Sequence, residues 1–600
     1  MDKNNDSEPL NPLTSSRRAT SLPKKEAGTE EQGKREQWTR KLDFILSCVG
    51  YAVGLGNLWR FPYLCYINGG ASFLIPYVIC LVFCGIPIFY LEVALGQYVG
   101  KGVVKSWSAI CPLFGGLGYA MLVITFLISV YYNVIIAWTL YYIFVTFRKT
   151  MPWGECGNEW NSNYCKKDRV MDVSLNCTAI GLPLNCSGQY ISPEEEYFNG
   201  RMLKVSDGID QPGEIRWELA VCLLVAWICV YFCVWKGVKS VGKVVYFTAL
   251  FPYLVLFIFL IRGATLEGAG DGILFYLKPD FSRLKDPQVW VQAAGQIFYS
   301  LSIGMGGLLT YSSFNKFNNN CEKDSIVVSL INCMTSFFAG FTVFSMMGFM
   351  ARLLKTEVGN AVKGGPGLVF MAFPEGIKQL PVPQIWAFLF FFMLFNLGLD
   401  SQFVGVETCT TVIIDWSPRM RKYKSAVSLG FCVICYLIGL AHVTQGGLYV
   451  FEMFDIQSGG ISLVLIALLE SIAIGWVYGT ENFSKNIETM IGHRPNLYFR
   501  VCWKFLSPVI ILVIFVWQCV DWSGLSLGDY KYPVWAELVG WGLCLASILF
   551  VPGYAIYRLF RDRSRPIKER FLNLLKPDEQ TMRRIEQDNG LPTQTEFALI

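Results

Sequence analysis

The first apolar segment of the chain, residues 42–65, contains the run Gly50-Tyr51-Ala52-Val53-Gly54-Leu55-Gly56-Asn57. Glycine is a poor helix former, so three glycines within seven positions predict an interruption of this helix. A similar run, Ser300-Leu301-Ser302-Ile303-Gly304-Met305-Gly306-Gly307, lies in the sixth apolar segment. Isolated glycines in membrane helices often serve only close packing. Glycine-interrupted segments at corresponding positions of two halves indicate a transporter binding site.

The composition is that of a membrane protein. Of 600 residues, 53% are apolar and 16% are charged, against about 25% charged in soluble domains. A spanning helix needs roughly 20 mostly apolar residues, and twelve segments qualify: 42–65, 72–98, 116–147, 216–235, 242–262, 291–314, 325–353, 384–414, 426–445, 449–479, 502–521 and 533–559. The predicted fold is an all-α polytopic membrane protein with twelve transmembrane helices. Helices 1 and 6 are broken and open a 5+5 inverted repeat, spans 1–5 and 6–10.

Basic residues orient the spans, because Lys and Arg concentrate in cytoplasmic loops. They fall in alternate connections and in the C-terminal tail: Lys101, Lys105, Lys236, Lys239, Lys243, Arg419, Arg421, Lys422, Lys424, Arg558, Arg561, Arg563 and Arg565. We therefore expect a mostly disordered cytoplasmic tail at 1–40, a transporter domain at 41–560 and a second, mostly disordered cytoplasmic tail at 561–600. Segment 148–215 is then extracellular, and the protein is expected to be a multi-pass protein of the plasma membrane.

The extracellular segment carries signs of processing. Asn176-Cys177-Thr178 and Asn185-Cys186-Ser187 are glycosylation sequons. The segment also holds Cys156 and Cys165 beside Cys177 and Cys186. Four cysteines allow three pairings, and the sequence alone does not choose among them.

Two broken helices bring unlike binding groups together. Freed carbonyl oxygens at the break can coordinate a cation such as sodium. The freed N–H groups and the positive helix end can hold a carboxylate. This combination suits a zwitterion that is carried together with sodium.

Several motifs resemble the signature of the neurotransmitter:sodium symporter family, and within it the branch for GABA, betaine, taurine and glycine. They are Gly50-Tyr51-Ala52-Val53-Gly54-Leu55-Gly56-Asn57-Leu58-Trp59-Arg60-Phe61-Pro62-Tyr63, Asn68-Gly69-Gly70, Tyr131-Tyr132-Asn133, Gly295-Gln296-Ile297-Phe298-Tyr299-Ser300-Leu301-Ser302 and Leu399-Asp400-Ser401-Gln402-Phe403. The resemblance covers about 35 to 565. It implies a transporter and not an enzyme.

The resemblance implies two sodium sites and one chloride site. The first sodium would bind Ala52, Asn57, Ser300 and Asn332, with the substrate carboxylate; the second would bind Gly50, Val53, Leu397, Asp400 and Ser401. An ionised group such as Asp400 is costly within a membrane span and functional by default. The chloride ligands would be Tyr77, Gln296, Ser300, Asn332 and Ser336. Chloride-independent bacterial relatives have a carboxylate in place of Ser336, so chloride is expected to supply that charge here.

The substrate class depends first on Gly54. Monoamine carriers of the family have an aspartate there, and its absence leaves room for a substrate carboxylate. The expected pocket residues are Gly54, Leu55, Gly56, Ile128, Tyr131, Tyr132, Phe298, Tyr299, Ser302, Met305, Gln402 and Gly405. Aromatic faces bind quaternary ammonium groups by cation–π attraction, which makes betaine the first choice. GABA is second, and glycine or another neutral amino acid also remains open.

Charged pairs are expected to gate this pocket. The resemblance implies an outer pair of Arg60 with Asp455, with Tyr299 as a lid, and an inner pair of Arg35 with Asp415, with Trp38 nearby. We also expect a disulfide between Cys156 and Cys165, while pairing of Cys177 with Cys186 stays open.

Other classes of protein fit less well. An ion channel needs a continuous pore, whereas broken helices with gates on both sides favour occlusion. No nucleophile–base constellation or metal cluster suggests an enzyme, and a net charge of +5 does not suggest nucleic-acid binding. The apolar terminus Phe597-Ala598-Leu599-Ile600 could bind a scaffold domain, although a frayed tail is the simpler interpretation.

Overall fold

The computed structural model describes residues 36–163, 165, 191–353, 357–360, 368–528, 530–561 and 565–588. Some predicted features lie outside these residues. They are the glycosylation sites Asn176 and Asn185, the cysteines Cys177 and Cys186, the inner-gate residue Arg35 and the terminal run Phe597–Ile600.

The described chain is almost entirely helical. The helices of its first half are α1 Lys41–Ala52, α2 Phe61–Ile67, α3 Leu74–Cys80, α4 Ile86–Val99, α5 Val103–Ile110, α6 Gly116–Thr146, α7 Pro193–Glu196, α8 Trp217–Val234, α9 Val238–Thr248, α10 Phe251–Ala264 and α11 Ala269–Leu277. Those of its second half are α12 Pro287–Ser300, α13 Gly307–Ser312, α14 Cys321–Leu353, α15 Phe373–Lys378, α16 Pro383–Trp416, α17 Lys424–Gly439, α18 Gly447–Gly459, α19 Ile461–Ile472, α20 Thr480–Ile491, α21 Leu497–Val501, α22 Ser507–Val520, α23 Val534–Ile548, α24 Phe550–Arg561, α25 Ile567–Leu574 and α26 Glu579–Asp588. One short antiparallel hairpin, β1 Ser526–Leu527 with β2 Tyr530–Lys531, separates α22 from α23.

Nine helical segments within the described residues are long and apolar enough to cross a membrane. They are Gly70–Val99, Pro112–Thr146, Trp217–Val234, Val238–Ala264, Cys321–Leu353, Pro383–Trp416, Arg419–Val443, Gly447–Ile491 and Leu497–Val520. Two bent pairs, α1 with Gly56–Ile67 and α23 with α24, raise the number to eleven. The predicted sixth span, 291–314, is missing from this set because it is divided into α12 and α13.

The first predicted helix break is present in the structure. α1 ends at Ala52, and the chain resumes as one π-helical turn, Gly56–Arg60, that continues into α2. The two arms are bent by 48°. The N–H of Val53 still donates to the carbonyl of Val49 at 2.7 Å, but those of Gly54 and Leu55 donate to the side chains of Asn57 and Tyr132. The regular helix is therefore interrupted here, as the glycine run predicts.

The second break separates α12 from α13. The intervening residues include Ser302, Gly304 and Gly306 with φ of 55°, 76° and 74°. Glycine adopts this left-handed backbone at no steric cost, but Ser302 is strained in it. Strained residues cluster at functional sites, so the segment around Ser302 is a candidate part of the binding site.

Two long helices pass beside both breaks. α6 and α16 pack against each other, and each is largely buried in the protein interior. The breaks and these two helices together surround the centre of the molecule.

Part of the C-terminal segment 561–600, which we expected to be mostly disordered, forms helices. α25 and α26 lie within 561–600, and the backbone N–H of Asp578 donates to the carbonyl of Ala109 at 2.9 Å. Met582 and Ile585, three positions apart on α26, are buried against the transporter core. The prediction from sequence missed this short apolar face because the segment around it is mostly polar.

Candidate functional site

A cavity lies where the two helix breaks meet α6 and α16. Its walls are formed by Tyr51, Ala52, Gly54, Gly56, Asn57, Thr125, Ile128, Ser129, Tyr132, Tyr299, Ser300, Ser302, Met305, Ser401, Gln402 and Gly405. Four segments that are far apart in sequence supply these residues. The lining is rich in hydroxyl and amide groups, which suits a small polar solute.

Nine of the twelve predicted pocket residues line this cavity: Gly54, Gly56, Ile128, Tyr132, Tyr299, Ser302, Met305, Gln402 and Gly405. Leu55, Tyr131 and Phe298 are absent from its walls, and all three are buried elsewhere in the core. The cavity is therefore less aromatic than the sequence predicted.

Two wall residues that the prediction missed follow a helical rule. Thr125 and Ser129 precede Tyr132 by seven and three positions, so all three lie on one face of α6. Tyr51, at the end of α1, was also missed; its hydroxyl lies 3.7 Å from the sulfur of Met305.

One end of the cavity is formed by Gly54, Tyr132 and Ser401. A methyl group on Gly54 would lie 3.0 Å from Ser401 Oγ and 3.1 Å from the Tyr132 hydroxyl. The N–H of Leu55 donates to that tyrosine hydroxyl at 3.4 Å, which in turn donates to Ser401 Oγ at 3.4 Å. These are long, weak bonds between neutral groups. A carboxylate placed here could accept from the same donors in shorter, charge-assisted bonds.

The other end of the cavity is narrow. The Thr125 hydroxyl donates to the carbonyl of Met305, which ties α6 to the second break. A methyl group on Gly405 would lie 2.3 Å from Ser129 Oγ, so the approach of α16 to α6 at this level requires glycine.

Asp400 lies directly against the first break. A methyl group on Gly50 would be 2.5 Å from Asp400 Oδ2, so nothing separates the carboxylate from the end of α1. The Thr248 hydroxyl, at the end of α9, donates to Asp400 Oδ1. The sequence did not indicate Thr248. A buried carboxylate beside freed helix carbonyls is an oxygen-rich setting of the kind that transporters use for sodium.

A second polar cluster joins the first break to α12 and α14. Asn57 Oδ1 accepts from the N–H of Gly54 at 3.0 Å. Its Nδ2 donates to Asn332 Oδ1 at 2.7 Å and to Ser336 Oγ at 2.8 Å. Ser300 Oγ and the Asn332 amide exchange hydrogen bonds at 2.9 and 3.1 Å. Four residues predicted as sodium or chloride ligands are thus in one network.

Two more predicted chloride ligands border this cluster with unused polar atoms. The Tyr77 hydroxyl is buried beside Ser336 and has no hydrogen-bond partner within normal distance. Gln296 Nε2 donates to the carbonyl of Gly56 at 3.1 Å, which leaves its second N–H for another acceptor. Neutral donors around one point fit a bound anion.

The outer side of the cavity is closed by Tyr299 and its neighbours. The Tyr299 ring lies 3.3 Å from the position of a methyl group on Gly56, and the Arg60 guanidinium lies 4.6 Å from the ring centre. Asp455 Oδ1 accepts from the Tyr131 hydroxyl at 2.8 Å. Within the described residues no ion pair joins Arg60 to Asp455. The predicted pair of Arg60 with Asp455 is therefore not formed, and Asp455 is hydrogen-bonded to Tyr131.

The inner side is closed by contacts of the segment before α1. Trp38 Nε1 donates to the carbonyl of Tyr311 at 2.9 Å, and the Trp38 N–H donates to the carbonyl of Phe314 at 3.1 Å. Asp415 Oδ2 accepts from the N–H of Gly102 at 2.6 Å. The prediction that Asp415 pairs with Arg35 is untested, because Arg35 lies outside the described residues.

Two ion pairs and one disulfide also bear on the predictions. Lys41 at the start of α1 pairs with Asp324 on α14 at 2.8 Å, a contact that the sequence did not suggest. Lys424 pairs with the buried Glu407 at 2.6 Å. In segment 148–215, the disulfide between Cys156 and Cys165 is present, which confirms that prediction.

Comparison with known proteins identifies relatives along nearly the whole chain. Residues 35–562 match the model of the sodium:neurotransmitter symporter family. The sodium- and chloride-dependent GABA transporter 2 of Rattus norvegicus is 46% identical over 570 residues, 94% of this chain and 93% of that protein. The sodium- and chloride-dependent creatine transporter 1 of Bos taurus is 47% identical over 548 residues, 90% of this chain and 86% of that protein.

Proposed function

The chain belongs to the sodium:neurotransmitter symporter family, and we propose that it imports a small carboxylate-bearing zwitterion by sodium- and chloride-coupled symport. The observation that carries this proposal is the cavity at two helix breaks, together with the contact of Asp400 with Gly50 near the first break. Relatives named as sodium- and chloride-dependent transporters support the ion coupling. Transport, and not catalysis, is the activity of this family.

The proposal includes the number of membrane spans and their orientation. Twelve spans are reached when α12 and α13 count as one interrupted helix beside the eleven continuous or bent segments. The two breaks then open two inverted repeats, and both termini are cytoplasmic. Segment 148–215 faces the outside of the plasma membrane, with glycans at Asn176 and Asn185.

Each ion has a proposed set of ligands. One sodium binds Ala52, Asn57, Ser300 and Asn332, and the other binds Gly50, Val53, Leu397, Asp400 and Ser401. Chloride binds Tyr77, Gln296, Ser300, Asn332 and Ser336. The polar network around Asn332 and the contact of Asp400 with Gly50 support these sets. A carbonyl oxygen that already accepts a hydrogen bond can still coordinate sodium, because it has two lone pairs.

The substrate carboxylate is proposed to lie at Gly54, Tyr132 and Ser401, next to the first sodium. Two nitrogen chemistries are candidates for its other end. Betaine, with a quaternary ammonium that tyrosine rings can attract by cation–π interaction, is one candidate. GABA is the alternative, and relatives named for GABA and creatine support a substrate of that size.

Alternating access would come from the two gates. Arg60, Asp455, Tyr131 and Tyr299 form the outer gate, and the segment around Trp38 with Asp415 forms the inner gate. Sodium favours one state only if it binds that state more tightly. Because the carbonyls of Gly50 and Val53 belong to the first break, movement of α1 changes the sodium site and the inner gate together.

Uptake of radiolabelled zwitterions into cells that express the full chain tests the proposal. Uptake should require both sodium and chloride and should fall to background when choline or gluconate replaces either ion. Current recorded in parallel should saturate with substrate. A current that flows without any substrate would instead indicate a channel, and ion-independent uptake would contradict the symport mechanism.

A further inference from the structure

One wall residue of the cavity has an unused hydrogen-bond acceptor. Gln402 is 2% exposed, and its Oε1 has no partner. Among the buried side-chain atoms of the cavity walls, within the part of the chain that the structure describes, this is the single unpartnered one. Buried polar atoms are nearly always hydrogen-bonded, so an exception beside a binding cavity points to a ligand.

The orientation of this amide follows from its other contact. Gln402 Nε2 donates to the backbone carbonyl of Ser129 at 3.1 Å. A carbonyl can only accept, so the amide nitrogen must face Ser129 and the oxygen must face away from it. The two ends of the amide therefore cannot be exchanged without losing a hydrogen bond.

We propose that Gln402 Oε1 accepts an N–H of the substrate's ammonium group, so that the carrier selects zwitterions whose nitrogen keeps at least one N–H. This inference rests on the proposed function and refines its substrate. It favours primary-amine substrates of the GABA type and disfavours betaine, whose quaternary nitrogen has no hydrogen to donate.

The position of Gln402 fits this role. Ser129 precedes Tyr132 by three residues on α6, a rise of about 4.5 Å. The amide of Gln402, bonded at Ser129, thus lies about one helical turn from the level of Tyr132, where the carboxylate is proposed to bind. A small amino acid held by its carboxylate at one end extends toward Gln402 with the other.

The alternative, a cage of aromatic rings around a quaternary ammonium, is weakened by the structure. Tyr131 and Phe298 do not line the cavity. The Arg60 guanidinium already lies 4.6 Å from the centre of the Tyr299 ring. A second cation near the same ring would meet repulsion from this arginine.

The apparent affinity for a substrate should therefore depend steeply on whether its nitrogen carries an N–H group. A substrate with an N–H pairs with Oε1, while a quaternary analogue buries that oxygen without a partner. We expect the loss of the last N–H to lower apparent affinity about 10- to 100-fold.

The test is an N-methylation series at fixed chain length: glycine, sarcosine, N,N-dimethylglycine and betaine, and the corresponding derivatives of GABA. The ammonium forms carry three, two, one and no N–H groups. Sodium-dependent uptake and competition are measured for the wild type, for Gln402→Met, which keeps the side-chain length without an oxygen acceptor, and for Gly430→Ala on α17 as a control away from the cavity, where a methyl group meets nothing within 4 Å.

For the wild type we expect the largest step between the dimethyl and trimethyl members. Gln402→Met should reduce the difference between the dimethyl and trimethyl members, while Gly430→Ala should preserve it. Wild-type transport of betaine at least as well as its N–H analogues would overturn the inference and leave the symport proposal standing.

Gln402→Met with an unchanged step, measured at equal surface expression, would also overturn the assignment. If Gln402→Met fails to reach the surface, the wild-type series decides alone. If no member of either series shows sodium-dependent uptake, the proposed function itself fails, and the inference fails with it.

Discussion

Replacing Gly50 by alanine should impair sodium binding with little effect on helix formation. Alanine is the better helix former, so α1 gains local stability. The added methyl group, however, would lie 2.5, 2.9 and 3.0 Å from Oδ2, Cγ and Cβ of Asp400. Ordinary contact begins near 3.4 Å, so Oδ2 must retreat by about 0.9 Å. Rotation of the carboxylate alone cannot suffice, because Cβ of Asp400 is also too close.

The expected magnitude follows from this overlap. Overpacking a well-packed interior costs about 1–3 kcal/mol. If that cost falls on the sodium-bound state, the half-saturating sodium concentration rises about 5- to 150-fold. The assay is substrate uptake against external sodium, normalised to surface protein. Gly430→Ala on α17 is the matched control, because a methyl group there meets nothing within 4 Å. Wild-type sodium dependence in a well-expressed Gly50→Ala protein would refute the placement of sodium beside Asp400.

Three further changes test neighbouring parts of the site. Thr248→Val removes the hydroxyl that donates to Asp400 Oδ1; we expect a loss of about 1 kcal/mol, seen as a several-fold higher sodium requirement, and an unchanged sodium curve would contradict this. Gly54→Asp fills the space beside Ser401 and the Tyr132 hydroxyl; uptake should vanish while surface expression persists, and normal uptake would place the substrate elsewhere. Ser336→Glu supplies a fixed negative charge beside Tyr77; uptake should survive replacement of chloride by gluconate, which should abolish most wild-type uptake. An active Ser336→Glu protein that still needs chloride would contradict the charge argument.

Both helix breaks could be predicted because their cause is local. Glycines weaken a helix wherever they occur, so the runs at 50–57 and 300–307 indicate interruptions without knowledge of any neighbour. The structure breaks the chain within these runs, after Ala52 and after Ser300. Gly54 and Met305 lie within these two runs. They were predicted as pocket residues, and both line the cavity.

The aromatic walls were predicted less well for a geometric reason. Tyr131 and Tyr132 are neighbours on a helix, as are Phe298 and Tyr299, and consecutive helical side chains point about 100° apart. Only the second member of each pair faces the cavity. Tyr131 instead reaches Asp455, which is 324 positions away in sequence. Partners at such a separation follow from tertiary packing, and periodicity cannot supply them.

The proposed ion sites explain how coupling could arise without a long pathway. Ser300 and Asn332 belong to both the first sodium set and the chloride set, and they are hydrogen-bonded to each other at 2.9 Å. An anion and a cation that share two ligands attract each other across a short, weakly screened distance. In the proposed arrangement the substrate carboxylate would complete the shell of the same sodium, so each of the three solutes would raise the affinity for the others. Because this coupling is reciprocal, the factor by which bound chloride would raise sodium affinity equals the factor by which bound sodium would raise chloride affinity. Coupled symport in this chain therefore requires only that the first break, α12 and α14 meet at one cluster.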